Sequence, residues 1–555
     1  MAVSQSSHGV VSEAMLTAGV SVGDALIVLP VALCFLFGAA LLMLRKRISW
    51  QPYIAVPGLA LVFVTDLALL LRVIRTGPFT MMMGAWRPPF GITFTVDLMG
   101  GLFLCAAGFV ALACGIYAVA STERQELRYG FYPFLFLMMG GVSGAFLTGD
   151  IFNLYVWFEV LLIGSFGLLI LGSQHEQLDG ATKYCFLNLI ATTLFLIAVA
   201  YLYGAFGTLN MADIARQAAS RPQDGAVTTI AVLFLVAFAM KAAAFPLNAW
   251  LPASYHTPRF VVSALFAGLL TKVGVYALIR VLMMLFPLER AGMTPLIAWV
   301  AGLTMMVGAL GALAQNDLRR LLNYVVIAGI GTVLAGVALP GLDPLVGTSA
   351  ASGDMPATAA ALQAGLSGSI TYALHSIVVM TALYLAAGIA ANRSGTSSLD
   401  GMGGLWRASP FFAGLVLVFL LAVAGLPPFS GFWPKVMLIR ATLAADLPWL
   451  AATVLVSGLI LTIASGRVFA LAFWRPAVDG AALALRSPET GDPDHEDFNG
   501  PQPYHGTGLI PLLGLAAFVI AAGVSPEWLA RLATGAAAGI IDPSAYIASV
   551  FGGGA

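Results

Sequence analysis

The sequence predicts an all-α polytopic membrane protein with about fourteen transmembrane helices. Of its 555 residues, 60% are hydrophobic and only 9% are charged, whereas soluble proteins carry about 25% charged residues. Apolar stretches of about 20 residues, the length that crosses the hydrocarbon core of a bilayer, recur along the whole chain. Gly- and Pro-containing breaks interrupt two of these stretches. A water-soluble fold of this composition would expose too much apolar surface.

The same composition excludes several classes of function. The net charge is +0 and there is no basic tract, so we predict no nucleic-acid partner. The cysteines lie in apolar stretches without CxxC spacing, which argues against disulfides, zinc and iron–sulfur ligation. We also find no dinucleotide-binding fingerprint, and we predict no cofactor and no metal. The four cysteines, interpreted as apolar packing residues, are Cys34, Cys105, Cys114 and Cys185.

Fourteen transmembrane spans are predicted along the chain. Residues 1–24 are polar and lack a signal-peptide pattern, so the first span is expected to be an uncleaved insertion signal. The spans lie near 25–44, 52–73, 95–119, 131–149, 151–172, 184–205, 227–250, 260–285, 294–314, 320–340, 364–391, 409–440, 448–472 and 508–527.

Basic residues set the predicted orientation because Lys and Arg favour the cytoplasmic side of short loops. Arg45, Lys46 and Arg47 close the first span, which places the N-terminus outside. Polar residues interrupt the apolar pattern at 341–358 and 476–506, and both stretches are interpreted as solvated linkers. With fourteen spans, the C-terminus is also predicted to lie outside.

A few ionisable residues lie deep inside apolar spans. A charge at mid-membrane costs about 2.5–3.5 kcal/mol on insertion scales, so such residues usually mark a functional pathway. Only five lysines occur in the chain, and three are in this set. As the carboxylate well inside a span in the middle of the chain, Glu159 is the predicted partner of Lys241, and a static ion pair is the alternative. The candidates are Glu159, Lys241, Lys272, His375 and Lys435, with Asp66 and Asp97 as secondary candidates.

Two of these lysines stand beside a helix break. Pro246 follows Lys241, and Pro427 and Pro428 precede Lys435. Proline cannot donate a hydrogen bond to the carbonyl four residues back, so the carbonyls of Ala242, Val423 and Ala424 are expected to lack a helical partner. Broken helices at corresponding places in two halves indicate an inverted-repeat transporter.

The breaks therefore predict a domain organisation. They fall in the seventh and twelfth spans, and a separation of five spans requires two units of opposite topology. The predicted units are residues 1–130 with helices 1–3, a first five-helix repeat at 131–285, a second at 286–475, a cytoplasmic linker at 476–507, and helix 14 with a C-terminal tail at 508–555.

Four sequence segments resemble a known family. They are Gly149-Asp-Ile-Phe-Asn-Leu-Tyr-Val-Trp-Phe-Glu159, Met240-Lys-Ala-Ala-Ala-Phe-Pro-Leu-Asn-Ala-Trp-Leu-Pro252, Gln315-Asn-Asp-Leu-Arg-Arg-Leu-Leu-Asn-Tyr324 and Gly425-Leu-Pro-Pro-Phe-Ser-Gly-Phe-Trp-Pro-Lys435. Together they are similar to the antiporter-like subunits shared by Mrp-type cation/proton antiporters and the membrane arm of respiratory complex I. Within the family, the chain looks most like the D-type Mrp subunits.

The resemblance implies roles for the buried charges. The glutamate of the fifth helix would pair with the lysine of the broken seventh, Lys272 and His375 would extend a central polar axis, and Lys435 would end it. One position departs from the family pattern, because Met380 stands where many members carry a lysine. Asp150 and Asp317 begin predicted helices, and we expect them to be N-caps rather than ion ligands.

The predicted function is a proton-translocating subunit of a multisubunit Na⁺/proton antiporter in a bacterial cell membrane. Its expected partners are other subunits of the complex, protons, Na⁺ and the lipid bilayer. A subunit of a redox-driven complex related to complex I or a membrane-bound hydrogenase would have nearly the same sequence. A passive scaffold is a further alternative, and it predicts that the buried charges could be neutralised without loss of transport.

Overall fold

A computed structural model describes residue 15 and residues 21–220, 224–341, 357–476 and 508–552. The predicted N-terminal tail at 1–24 and the polar stretches at 341–358 and 476–507 fall largely outside these residues. Helices dominate the described part of the chain. They are α1 (Leu29–Met43), α2 (Gln51–Thr76), α3 (Leu98–Ser121), α4 (Phe131–Leu147), α5 (Ile151–Leu169), α6 (His175–Phe206), α7 (Gly225–Ala242), α8 (Phe260–Leu285), α9 (Pro287–Ala314), α10 (Leu318–Val337), α11 (Ala357–Ser394), α12 (Pro410–Ala424), α13 (Phe432–Ala444), α14 (Pro448–Trp474), α15 (Leu509–Val524), α16 (Glu527–Ile541) and α17 (Ser544–Phe551).

Most of these helices can cross a membrane. Eleven helices of the described part are long and apolar enough, and the bent pair α15 and α16 makes a twelfth if it is one span. Two further apolar helices, α4 and α12, are shorter. The polytopic helical fold predicted from the composition is therefore confirmed, while the count of fourteen spans stays a prediction.

Short elements connect the long helices. In the described ranges, five short α-helices lie at Val22–Ala25, Arg124–Tyr129, Met211–Ser220, Trp250–Ser254 and Leu405–Ala408. Strands β1 (Phe79–Met82) and β2 (Thr93–Val96) form an antiparallel hairpin that pairs Phe79 with Val96. This hairpin was not predicted from the sequence, because its strands have only four residues each.

The ends of three predicted spans differ in the structure. The seventh helix ends at Ala242 rather than near residue 250, and the twelfth divides into α12 and α13. After α15 the chain turns by 82° into α16, where the sequence predicted a C-terminal tail. The first two differences follow from the prolines, which cannot complete the helical hydrogen-bond ladder.

The central helices are the most deeply enclosed. In the most apolar windows of α8 and α11, every residue is buried inside the protein. α8 packs against both α7 and α11, and α11 also packs against α13. These helices carry Lys241, Lys272, His375 and Lys435, so the fold places the candidate residues in its interior.

Candidate proton-relay site

The break after α7 positions Lys241. Ala243 adopts a left-handed backbone with φ 60° and closes the helix. Side chains then satisfy backbone groups around the break: the Phe245 amide donates to Thr304 Oγ1 at 2.9 Å, and Trp250 Nε1 donates to the Met240 carbonyl at 2.9 Å. Polar backbone at membrane depth is tolerated only where it has such partners or water.

Lys241 is buried and has several neighbours of different chemistry. Its Nζ donates to Thr192 Oγ1 at 3.0 Å and lies 4.9 Å from the centre of the Phe158 ring, where the negative face of the ring attracts a cation. Glu159 is close enough for its charge to interact with Lys241. Within the described residues no ion pair joins the two, and Glu159 Oε1 is buried without a hydrogen-bond partner. The predicted partners are neighbours, but they are not in direct contact.

A wide helical turn positions Lys272. In α8, residues Phe266–Leu270 form a π-helical turn, and Lys272 comes shortly after this turn in the sequence. Its Nζ donates to the Ala267 carbonyl at 2.7 Å. Such turns are rare and are frequently found at functional sites. Gly274 lets α8 approach α7 closely, because a Cβ there would lie 2.9 Å from the Ala242 amide nitrogen.

His375 connects α11 to the second break. Its Nδ1 lies 2.7 Å from Ser430 Oγ, inside the segment between α12 and α13. The charges of Lys435 and Lys272 both interact with this ring. Met380 is buried on the same helix and has no proton to exchange. His375 is therefore a neighbour of both lysines.

The second break surrounds the ammonium of Lys435 with backbone carbonyls. Lys435 Nζ donates to the Ala424 carbonyl at 2.8 Å and to the Val423 carbonyl at 3.2 Å. These are the carbonyls that the two prolines were expected to leave without a helical partner. They also form the C-terminus of α12, where the helix dipole carries a partial negative charge. A buried cation is thus stabilised at this position without a carboxylate.

Gly425 permits this arrangement. Its φ of 80° is left-handed, and a Cβ at this position would lie 2.7 Å from Lys435 Nζ. Glycine avoids both the backbone penalty and the overlap.

The two aspartates predicted to be N-caps have that role. Asp150 accepts from the Asn153 amide at 2.8 Å at the start of α5, and Asp317 accepts from the Arg320 amide at 3.0 Å at the start of α10. Burial raises the pKa of Asp150 to about 6, because desolvation disfavours the charged form.

The remaining two carboxylates differ from each other. Asp97 caps α3 and forms a two-armed ion pair with Arg280, at 2.7 and 2.6 Å. Sequence reasoning missed Arg280 as a partner because it lies in another span, 183 residues away. Asp66 is fully buried on α2, and in the described part of the chain neither of its oxygens has a hydrogen-bond partner.

Thr192 and Ser430 are further polar contacts that sequence reasoning did not select. Ser430 lies inside the quoted Pro-Pro-Phe-Ser-Gly segment, so a hydroxyl in a helix break was an available signal. Thr192 lies in an apolar span directly before Thr193. Nothing in the hydropathy pattern of that span distinguishes the two threonines.

Comparison with known proteins identifies the family of this chain. The family model described as "NADH:quinone oxidoreductase/Mrp antiporter, TM" matches residues 148–351 and 353–461, a region that contains Glu159, Lys241, Lys272, His375 and Lys435. The chain belongs to this family. It is 36% identical to the D-type subunit of the Na⁺/H⁺ antiporter of Alkalihalophilus pseudofirmus, covering 95% of this chain and 99% of the relative.

Solved structures extend the similarity across nearly the whole chain. A chain of the Mrp complex from Dietzia sp. is 29% identical with a TM-score of 0.83, covering 96% of this chain and 100% of that one. A chain of respiratory complex I from Thermus thermophilus is 25% identical with a TM-score of 0.75, covering 93% and 99%. The fold is therefore shared with a chain of an Mrp complex and with a chain of respiratory complex I.

Proposed function

We propose that this chain is a proton-translocating subunit of a multisubunit Na⁺/proton antiporter in a bacterial cell membrane, working with the other subunits of that complex. The observation that carries the proposal is the continuous burial of Lys241, Lys272, His375 and Lys435 on helices that pack against one another. The relatives in Alkalihalophilus pseudofirmus and Bacillus subtilis are both named as D-type subunits of an Na⁺/H⁺ antiporter, which supports the antiporter function.

Glu159 and Lys241 act as the switch in this proposal. When the carboxylate approaches, it stabilises the charged ammonium; when it withdraws, burial favours loss of the proton. The hydroxyl of Thr192 supports the second arrangement, because it gives Lys241 a partner while Glu159 is apart. The released proton would pass through Lys272 and His375 towards Lys435.

Two five-helix units, at 131–285 and 286–475, would each supply a half-channel. Several parallels support these units. Glycines bring α4 against the backbone of α5, and other glycines bring α9 against α10. Asp150 and Asp317 cap α5 and α10, and their backbones pair with Asn210 after α6 and Ser398 after α11. The two breaks, after α7 and after α12, are also five helices apart.

A redox-driven proton-pumping complex is the second candidate function. The structural similarity to complex I favours it, because both complexes could use the same lysine axis. The two functions differ in their driving force. Proton movement that follows an imposed Na⁺ gradient supports antiport, whereas movement that requires electron flow supports the redox-driven alternative.

The first experiment measures Na⁺-dependent proton movement in inside-out vesicles containing the whole complex. We expect Lys241→Ala and Glu159→Gln to reduce antiport by about a hundredfold, the scale of removing a proton-transfer group, with the complex still assembled. Lys183→Ala is the matched control, because that lysine is exposed and pairs with Asp179 on the surface. Unchanged antiport in the Lys241 and Glu159 variants would leave the chain a passive scaffold.

A further inference from the structure

Asp66 is a buried ionisable residue that the proposed lysine axis does not use. It lies in the middle of α2, and its exposed fraction is 0%. Among the described residues, neither Oδ1 nor Oδ2 has a hydrogen-bond partner. No Lys, Arg or His in the same part of the chain forms an ion pair with it. An ionised carboxylate in such a position would carry a full charge without compensation.

The surroundings of Asp66 offer little to stabilise that charge. The thiols of Cys34 on α1 and Cys105 on α3 are close enough to interact with it, and thiols are weak hydrogen-bond donors. Gly108 on α3 packs directly over the carboxyl, because a Cβ there would overlap Oδ2. Across the described ranges, no cluster of His, Cys, Asp and Glu could coordinate a metal ion.

Asp97 on the neighbouring helix α3 shows what a charged carboxylate requires in this protein. It accepts from both Nη atoms of Arg280 and from the Gly100 amide. Within the described structure, Asp66 has no such donor. A buried carboxyl without donors favours its neutral form, so the surroundings of Asp66 are the opposite of those of Asp97.

We propose that Asp66 is a proton-binding site separate from the lysine axis, and that its carboxyl is a neutral acid in the resting protein. Its place on α2 supports the separation, because α2 packs mainly against α1 and α3, and it is α3 that packs against α8 and α11. The neutral acid also explains how an intramembrane aspartate is compatible with close packing against Gly108. Asparagine, which has nearly the same shape and no charge, is the matching substitution.

The test compares infrared spectra of the whole purified complex from wild type, Asp66→Asn and Asp97→Asn. We expect Asp66→Asn to lose one carbonyl-stretching band of a protonated carboxylic acid and to retain wild-type antiport. Asp97→Asn should retain that band. The proposal is overturned if the spectrum of Asp66→Asn keeps every carboxylic-acid band, or if the band disappears together with antiport.

A second measurement uses the unmodified protein and does not depend on assembly of a variant. A lipid-soluble carbodiimide reacts with a protonated carboxyl: the acid proton moves to a carbodiimide nitrogen while the carboxyl oxygen bonds to the central carbon. Transfer of the acyl group from that oxygen to nitrogen then gives a stable N-acylurea, and no group leaves. Mass spectrometry should find the adduct on Asp66 and none on the paired Asp97. An adduct on Asp97 with none on Asp66 would refute the proposal.

Discussion

The break after α7 and the break between α12 and α13 each carry one buried lysine, but the lysines stand on opposite sides of the break. Lys241 precedes its break and has the Thr192 hydroxyl and the nearby Glu159 carboxylate as neighbours. Lys435 follows its break, and the carbonyls of Val423 and Ala424 accept its hydrogen bonds. An acidic side chain is therefore near the lysine at the first break, whereas backbone carbonyls accept the hydrogen bonds of the lysine at the second.

This difference separates a movable partner from a fixed one. A glutamate side chain can change rotamer and bring or remove a full negative charge, whereas the carbonyls at the end of α12 are fixed by the helix. We infer that the first break controls when the proton is released, and that the second provides a constant environment for the lysine at the end of the axis. Four substitutions test this comparison.

The largest effect is expected when the second break is given a carboxylate. A Cβ at Gly458 on α14 would lie 3.5 Å from Lys435 Nζ, so Gly458→Asp places a fixed acid beside the ammonium. Opposite charges stabilise each other, and the lysine should keep its proton. We expect Na⁺-dependent proton movement to fall by about a hundredfold. Gly458→Ala, which makes ordinary contact, is the control, and equal activity of both variants would contradict the model of the second break.

The next effect concerns the geometry of the carbonyls. Gly425→Ala puts a methyl group 2.7 Å from Lys435 Nζ at a left-handed backbone position. The backbone strain alone costs about 1–3 kcal/mol, and the ammonium must move away from the end of α12. We expect about a tenfold loss of antiport in the vesicle assay. Gly414→Ala on the same helix, where no described atom would lie within 4 Å of the added Cβ, should remain active.

A smaller effect is expected for the hydroxyl beside His375. Ser430→Ala removes the partner of Nδ1, and a hydrogen bond of this kind contributes about 0.5–1.5 kcal/mol. Antiport should therefore fall by about three- to tenfold, measured as the initial rate at saturating Na⁺. Ser457→Ala is a suitable control because that buried hydroxyl donates to the carbonyl of Val454 on its own helix. Similar losses in both variants would indicate a packing effect.

The smallest effect concerns Thr192. Thr192→Val removes the hydroxyl that accepts from Lys241 and should favour the arrangement in which Glu159 is the partner. We expect about a threefold reduction in antiport, the scale of one neutral hydrogen bond. Thr193→Val is the control, since this exposed threonine donates to the carbonyl of Leu189 on its own helix. A threefold loss in both variants would remove Thr192 from the switch.

Much of this site was predictable where the constraint is local in the chain. Proline removes a backbone donor wherever it occurs, so the breaks at Pro246 and Pro427 and the released carbonyls near Lys435 follow from the sequence. The caps at Asp150 and Asp317 are similarly local, because an N-cap bonds an amide two or three residues away. The family motifs added the axis of five residues, whose role in proton transfer stays a prediction.

Partners on different helices could not be predicted in the same way. Nothing in the sequence distinguishes Thr192 from Thr193, yet Thr192 contacts Lys241 and Thr193 bonds within its own helix. Arg280 and Asp97 were not recognised as a pair, and the chain gives no sign that Asp66 differs from Asp97. Each of these depends on the rotation and depth of two helices relative to each other.

The sequence by itself determined that the protein spans a membrane, where its helices break and which charges lie inside it, because apolar length and proline geometry act within a few residues. Only the tertiary structure decided which of those charges have partners. In the packed interior, a hydrogen bond needs two atoms within about 3 Å, and that distance is fixed by the close packing of helices that are distant in sequence.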